Sequence, residues 1–196
     1  MLFIGNANLL HIFGTGFIGI IAAGIFVFGA NYRIARILSY FGTDDSSINI
    51  TSWQLKQGLI ALGTGGLFGL GPGHSQQSYF FLPEAYVDFI LSIIGEEYGF
   101  IGLFLIFSTF GLIFFRGMQI AKKAPDLLGY FLSIGIILVL SIYLFTNAAV
   151  NIGLLPTTGV PLPFISYGGT AVVFNAVAIG ILLNISSQAN IFSRNM

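Results

Sequence analysis

The chain has 196 residues, of which 56% are hydrophobic and 7% charged, and its mean hydropathy is +0.92. A soluble globular domain carries roughly a quarter charged residues, so this composition indicates an integral membrane protein instead. Seven Lys and Arg balance seven Asp and Glu, so the chain lacks the excess positive charge that a nucleic-acid-binding protein needs. Cysteine is absent. Disulfides and thiolate chemistry are therefore excluded, and two distant histidines, His11 and His74, argue against a zinc site.

Four apolar segments are predicted to span the membrane as helices, because crossing the hydrocarbon core takes about 20 mostly apolar residues. In chain order they cover residues 12–30, 99–115, 127–145 and 170–185. The N-terminus lacks the basic residues and the cleavage signal of a secretory signal peptide, so it is interpreted as the start of a span. The predicted fold class is an all-α integral membrane protein with a single domain over residues 1–196.

The positions of Lys and Arg predict the orientation of the spans, since short loops rich in these residues stay in the cytoplasm. The Lys and Arg residues near the ends of the last three spans are Arg116, Lys122, Lys123 and Arg194. The C-terminus is therefore predicted to be cytoplasmic, and residues 31–98 and 147–167 are predicted to form outer loops. Arg33 and Arg36 lie outside against this rule, so we expect them to pair with carboxylates or lipid phosphates.

The first outer loop, residues 31–98, is too long and too apolar to be a plain connection. Residues 53–62 are predicted to form a helix at or partway into the membrane interface. Residues 63–73 contain six glycines, which permit turns and close backbone approach but match no phosphate-binding fingerprint. Pro83 is suited to the first turn of a helix that ends near Tyr98.

Polar residues recur every four positions along this last helix and form one stripe opposite an apolar face. They are Glu84, Asp88, Ser92 and Glu96. Ionisable groups near a bilayer usually face a cavity, a partner or water, so the stripe is a candidate functional surface. The alternative is an interfacial helix whose polar face is only wet. Glu84 is expected to cap the helix start or to act on Asp88 as a like charge, and Glu96 and Glu97 to fix packing.

Two motifs are specific enough to indicate a family. Residues 82–102 read LPEAYVDFILSIIGEEYGFIG, and residues 153–169 read GLLPTTGVPLPFISYGG. Both resemble, in the same order, segments of the FtsW/RodA/SpoVE family, the polytopic peptidoglycan glycosyltransferases of bacterial cell-wall synthesis. Residues 32–36 and 61–69 resemble further family segments, so the similarity covers residues 31–187.

The resemblance implies that the chain corresponds to the C-terminal part of a roughly ten-span fold. The sequence is therefore expected to be a fragment, a truncated gene product or half of a split protein. Val87 and Thr170 depart mildly from the family pattern, which most often has Thr and Ser there. The likeness to FtsW, which serves division, is closer than that to RodA, which serves elongation.

What the resemblance implies chemically is an inverting, processive transfer that polymerises lipid II, in which a sugar hydroxyl attacks an anomeric carbon and undecaprenyl diphosphate leaves. Asp88 falls on the position of the family's essential outer-loop aspartate and is the candidate general base. The leaving diphosphate needs a positive environment, supplied alone or together with a divalent cation such as Mg²⁺ or Mn²⁺. The candidate cations are Arg33, Arg36 and Lys56. Their alternative role is structural ion pairing with outer-loop glutamates.

Ser166 and Tyr167 precede the last span and are candidate substrate-binding residues, because amides at a helix start can hold phosphate or sugar oxygens. Glu84 is a further candidate substrate-binding residue. The alternative is that residues 147–167, which contain three prolines, form a stiff lid against the amphipathic helix. No metal-ligating residue is assigned.

The partners that the resemblance implies are lipid II, the growing glycan strand, a class B penicillin-binding transpeptidase, and divisome or elongasome proteins of the bacterial inner membrane. Two other functions stay open, a flippase for the lipid-linked precursor and a non-catalytic scaffold for a penicillin-binding protein. A flippase needs polar residues along its path, and the four predicted spans carry no charge. Replacing Asp88 with Ala separates an enzyme from both alternatives.

Overall fold

The computed structural model describes residues 9–29, 50–77 and 88–194. Within these residues the chain forms five helices and no strand. The helices are α1 (Leu9–Phe28), α2 (Ile50–Gly65), α3 (Ile90–Lys122), α4 (Leu127–Asn151) and α5 (Gly169–Arg194). The helices α3, α4 and α5 are long and apolar enough to cross a membrane. The predicted all-α membrane fold is confirmed.

The chain separates into two compact units, Met1–Ser52 and Trp53–Met196. In the first unit, α1 contains an apolar stretch over Phe13–Phe26, which is shorter than the three long apolar helices. Large side chains of this stretch, including Phe17 and Ile20, are exposed, as in a helix that contacts lipid. The single domain predicted for residues 1–196 stays a prediction.

The second and third predicted spans differ from the helices in ways that affect the surroundings of Asp88. The second, at residues 99–115, is the middle of α3, which begins at Ile90 and has a break in its helical geometry at Gly99. The C-terminal boundary predicted for the amphipathic helix therefore coincides with the break. Its predicted start is wrong, because Asp88 and Phe89 precede the first helical turn and Asp88 does not lie on the helix. The third span, predicted to end at residue 145, continues to Asn151. The second outer loop is correspondingly shorter than residues 147–167.

The packing of the second unit brings the start of α3, the end of α4 and the loop between α4 and α5 together. α4 contacts both α3 and α5. Gly117 lets α3 approach α4, since a Cβ there would lie 2.7 Å from Ile137 Cγ1. At the opposite end, Leu91 of α3, Leu144 of α4 and Leu162 of the second outer loop form one buried apolar cluster with Phe110. This cluster holds the loop against the start of α3, where Asp88 lies.

Candidate functional site

The glycine-rich segment after α2 fills the break in α3. In an unbroken helix, the amides of Phe100 and Ile101 would bond to the carbonyls of Glu96 and Glu97, four residues earlier. All four groups bond instead to the glycine-rich segment. These bonds are Leu70 N to Glu96 O (2.9 Å), Gly71 N to Glu97 O (3.0 Å), Phe100 N to Gly66 O (2.9 Å) and Ile101 N to Leu67 O (3.3 Å). A broken helix in a membrane protein requires such replacement hydrogen bonds, because the backbone groups freed by the break must find other partners.

Two glycines make this backbone-to-backbone contact possible. Gly99 has φ 64° and ψ −161°, a combination that is essentially restricted to glycine. A Cβ at Gly99 would lie 2.5 Å from the amide nitrogen of Gly69, and a Cβ at Gly69 would collide with the carbonyl of Glu97. The close approach that the glycine-rich sequence predicts is therefore present, and it occurs against α3.

The carboxylate of Glu96 joins the same part of α3 to the chain after the glycine-rich segment. It is 1% exposed and accepts hydrogen bonds from Ser75 Oγ (2.5 Å), Gln76 N (3.2 Å) and Gln77 N (3.4 Å). The expectation that Glu96 fixes packing agrees with these contacts. The alternative of a wet polar face is wrong for Ser92 and Glu96, which are 0% and 1% exposed, because protein donors and acceptors surround them.

Two buried asparagines of α4 hold the main chain of Asp88. Asn147 Nδ2 and Asn151 Nδ2 both donate to the Asp88 carbonyl oxygen, over 3.1 Å and 3.0 Å. Asn151 Oδ1 in turn accepts from both the amide and the hydroxyl of Ser92, over 3.0 Å and 2.7 Å. We call Asn147 and Asn151 the amide clamp. It fixes the turn that carries Asp88 and the first turn of α3 to the end of α4.

The clamp also reaches the second outer loop. Asn147 Nδ2 donates to the carbonyl oxygen of Val160 over 2.9 Å. The neighbouring Gly159 faces the half-buried side chain of Asp88, since a Cβ at Gly159 would lie 4.0 Å from Asp88 Oδ2. Gly159 has φ 70°, a conformation that favours glycine. Asp88 and this loop therefore form one site.

An open groove of about 560 Å³ adjoins this site and is lined mainly by apolar atoms. Ile90, residues 164–169 and Val172 line it. Phe164 has φ 65°, a strained conformation for a bulky residue that costs on the order of 1–3 kcal/mol. Such strain persists where the surrounding structure determines the backbone, which here shapes one wall of the groove.

The structure brings together some of the predicted site residues. Ser166 and Tyr167 both line the groove beside Ile90. Tyr167 is 82% exposed, whereas Ser166 is buried and its Oγ accepts a hydrogen bond from Leu162 N over 2.8 Å. Ser166 thus closes a turn of the loop, as the stiff-lid interpretation expects.

Of the three cations predicted to bind the leaving diphosphate, the structure describes only Lys56. Lys56 is exposed on α2. Its neighbour Leu55 faces the second outer loop, because a Cβ at Gly153 would lie 3.7 Å from Leu55 Cδ1. Arg33, Arg36 and Glu84 lie outside the described residues. In the part of the chain that is described, no three His, Cys, Asp or Glu side chains are grouped to hold a metal ion.

Sequence reasoning missed the amide clamp. The predicted spans place Asn147 and Asn151 in a loop, yet they lie one helical turn apart in an otherwise apolar stretch of α4. Residues four apart share one face of a helix, and polar side chains within apolar helices usually face the protein interior. That spacing was the available signal.

Comparison with known proteins agrees with the motifs. The profile of the FtsW/RodA/SpoVE family of cell cycle proteins matches residues 1–191. Stage V sporulation protein E of Bacillus subtilis is 44% identical over 186 residues, which are 95% of this chain and 50% of that protein. The probable peptidoglycan glycosyltransferase FtsW of Trichlorobacter lovleyi is 43% identical over 187 residues, which are 95% of this chain and 49% of that protein.

A solved structure shares the fold. One chain of a peptidoglycan synthase complex that coordinates polymerization and crosslinking matches with a TM-score of 0.65 at 20% identity, over 92% of this chain and 48% of that chain. This chain spans about half the length of the curated relatives it matches. The predicted family is confirmed, and the chain belongs to the FtsW/RodA/SpoVE family.

Proposed function

We propose that this chain acts in a peptidoglycan glycosyltransferase that polymerises lipid II into glycan strands during cell division or elongation. The observation that carries the proposal is the placement of Asp88. Its main chain is held by two buried amides, and its carboxylate lies beside Gly159 of the second outer loop. Ile90, two residues further along the chain, lines an apolar groove. A carboxylate on a fixed backbone beside a groove is suited to act as a general base, because that role requires a defined position.

The proposed reaction is an inverting transfer between two sugars. The hydroxyl oxygen of the acceptor attacks the anomeric carbon of the donor and forms the new glycosidic bond. The bond from that carbon to the diphosphate breaks, and undecaprenyl diphosphate leaves with the electron pair. Asp88 takes the proton of the attacking hydroxyl, a contribution typically worth about 10²- to 10⁴-fold in rate.

The remaining substrate contacts follow from the surroundings of Asp88. The groove lined by Ser166 and Tyr167 has the apolar character that suits part of a lipid-linked substrate. Arg33, Arg36 and Lys56 would stabilise the leaving diphosphate, with or without a divalent cation. Glu84 stays a candidate for binding the substrate.

The arrangement of charges supports the proposed orientation in a bacterial inner membrane. α3 runs away from Asp88 toward Arg116, Lys122 and Lys123, and α5 ends at Arg194. These positive charges lie at the helix ends opposite Asp88, as expected for cytoplasmic ends. Asp88 and both outer loops would then face outward, where a class B penicillin-binding transpeptidase and other divisome or elongasome proteins would bind.

The test is polymerisation of labelled lipid II by the complete gene product with its cognate transpeptidase, read as glycan length on a gel. Asp88→Asn is the informative variant, because the amide clamp binds the carbonyl of residue 88 and does not need its carboxylate. We expect a loss of at least about 10²-fold in rate. Glu97→Gln is the matched control. Glu97 lies in α3 just before the break at Gly99, away from Asp88, so this variant should polymerise lipid II normally.

One outcome would contradict the proposed function, and a second would contradict the role of Asp88 in it. Correctly folded wild-type protein that makes no glycan would favour a flippase or a scaffold for a penicillin-binding protein. Full activity of Asp88→Asn would keep the transferase but remove Asp88 as its base.

A further inference from the structure

The amide clamp has one possible orientation. A backbone N–H is always a donor, so the clamp atom that faces Ser92 N must be the oxygen of Asn151. The Asn151 nitrogen then faces the Asp88 carbonyl, and its second hydrogen points to Asn147, whose main-chain oxygen is 2.9 Å away. Both hydrogens of Asn147 Nδ2 are used as well, one by Asp88 and one by Val160. Both hydrogens of each amide nitrogen are therefore in use, and the Asp88 carbonyl receives two donors.

Burial makes these bonds hard to replace. Asn147 is 1% exposed and Asn151 is 0% exposed, so the two side-chain amides themselves are closed to water. A buried amide that loses a hydrogen-bond partner is left unpaired, which is more unfavourable than losing the same bond at a surface.

The hydrogen bonds of the amide clamp are concentrated on Asp88, the candidate general base. Both amides bind the main chain of Asp88 itself. The same Asn147 nitrogen binds Val160, whose neighbour Gly159 faces the Asp88 carboxylate. The side-chain amide of Asn147 therefore fixes the position of Asp88 relative to the second outer loop.

We propose that Asn147 and Asn151 are the positioning residues of this site, and that they hold Asp88 and the second outer loop as one rigid unit. The catalytic part of this inference rests on the proposed function. The mechanical part, the coupling of the loop to Asp88, does not.

The catalytic part is tested with Asn147→Asp and Asn151→Asp in the complete gene product with its transpeptidase. Each substitution keeps the size of the side chain but places an oxygen against the Asp88 carbonyl. We expect kcat for lipid II polymerisation to fall by about 10- to 100-fold, while KM stays within about twofold, because misplacing a reacting group affects the chemical step. Asn184→Asp is the matched control, since Asn184 is exposed on α5, and it should leave kcat unchanged.

The mechanical part has a readout that needs no activity. The chain has no cysteine, so Thr158→Cys provides a single exposed site for a nitroxide label in the second outer loop. We expect Asn147→Asp to increase the mobility of this label in the electron paramagnetic resonance spectrum, and Asn184→Asp to leave the spectrum unchanged.

These measurements separate failure of the inference from failure of the proposed function. If Asp88→Asn is inactive while both clamp variants keep the wild-type kcat, the asparagines are not positioning residues. An unchanged label spectrum in Asn147→Asp would overturn the coupling. A wild-type protein that makes no glycan would overturn the proposed function, and the label would still decide whether the loop is coupled.

If a clamp variant is not recovered folded, Ser92→Ala, which removes one contact of Asn151, must lower kcat for the inference to stand.

Discussion

The two ends of the first turns of α3 are held in different ways. At the end near Asp88, side chains of α4 that are 59 and 63 residues away in sequence bind the main chain. At the end near Gly99, the main chain of the glycine-rich segment binds the main chain of the broken helix. The first end depends on the side-chain amides of Asn147 and Asn151. The second end depends on the absence of side chains at Gly99 and Gly69, because a Cβ there would collide with backbone atoms. A protein can thus fix a short helical segment through specific side chains or through their absence.

This difference predicts that the two ends fail differently when mutated. Substitutions near Gly99 should lower stability and leave the kcat of the folded protein unchanged, because that end does not contact Asp88. Substitutions in the amide clamp should lower kcat as well.

The largest effect is expected for Gly99→Ala. Its methyl group would lie 2.5 Å from Gly69 N and 2.6 Å from the carbonyl atoms of Leu67, and backbone atoms cannot move aside as a flexible side chain can. Together with the glycine-only conformation, this should destabilise the protein by more than about 4 kcal/mol. The measurement is the amount of folded protein recovered from membranes and its thermal unfolding midpoint.

The matched control for this change is Gly111→Ala in the same helix. A Cβ at Gly111 would have nothing within 4 Å, so this variant should be as stable as wild type or slightly more. Equal stability of the two variants would mean that the glycine-rich segment does not pack against Gly99 as described.

A smaller loss of stability is expected for Glu96→Gln. The amide nitrogen of Gln would face hydrogen-bond donors, so at least one of the contacts from Ser75, Gln76 and Gln77 would be lost. Hydrogen bonds to a charged group contribute about 1.5–3 kcal/mol, and we expect a loss of that order in the free energy of unfolding. Thermal unfolding of the detergent-solubilised protein measures it, with Glu97→Gln as control. A large drop in kcat with unchanged stability would contradict the proposed difference between the two ends.

The smallest effect is expected for Ser92→Ala at the Asp88 end. It removes the hydroxyl bond to Asn151 Oδ1 but keeps the bond from the Ser92 amide. We expect a loss of about 1 kcal/mol, or about 2–4 °C in the unfolding midpoint. The accompanying decrease in kcat should be smaller than that of Asn151→Asp.

Ser141→Ala is the control for this variant. Its hydroxyl bonds only locally, to the Ile137 carbonyl one turn earlier in α4, so its removal should change neither stability nor kcat appreciably. If the two serine variants behaved alike, the contact between Ser92 and the clamp would have no special role.

The sequence by itself determined the class of protein, the approximate places of the helices and the family. Hydropathy over about 20 residues is a local property, and it located α3, α4 and α5 without knowledge of their packing. Glycine content predicted close backbone approach, and the predicted boundary at residues 98 and 99 coincides with the break in α3. The motif around Asp88 identified the candidate base before any geometry was known.

Only the tertiary structure decided which polar groups of these segments meet. Asn147 and Asn151 continue α4 past the predicted end of its span because their amides find partners at Asp88, Ser92 and Val160. Glu96 is buried rather than wet because residues 75–77 supply its donors. Hydrogen-bond partners about 20 to 60 residues apart leave no trace in local composition or periodicity, so the amide clamp becomes visible only once α3 and α4 are packed.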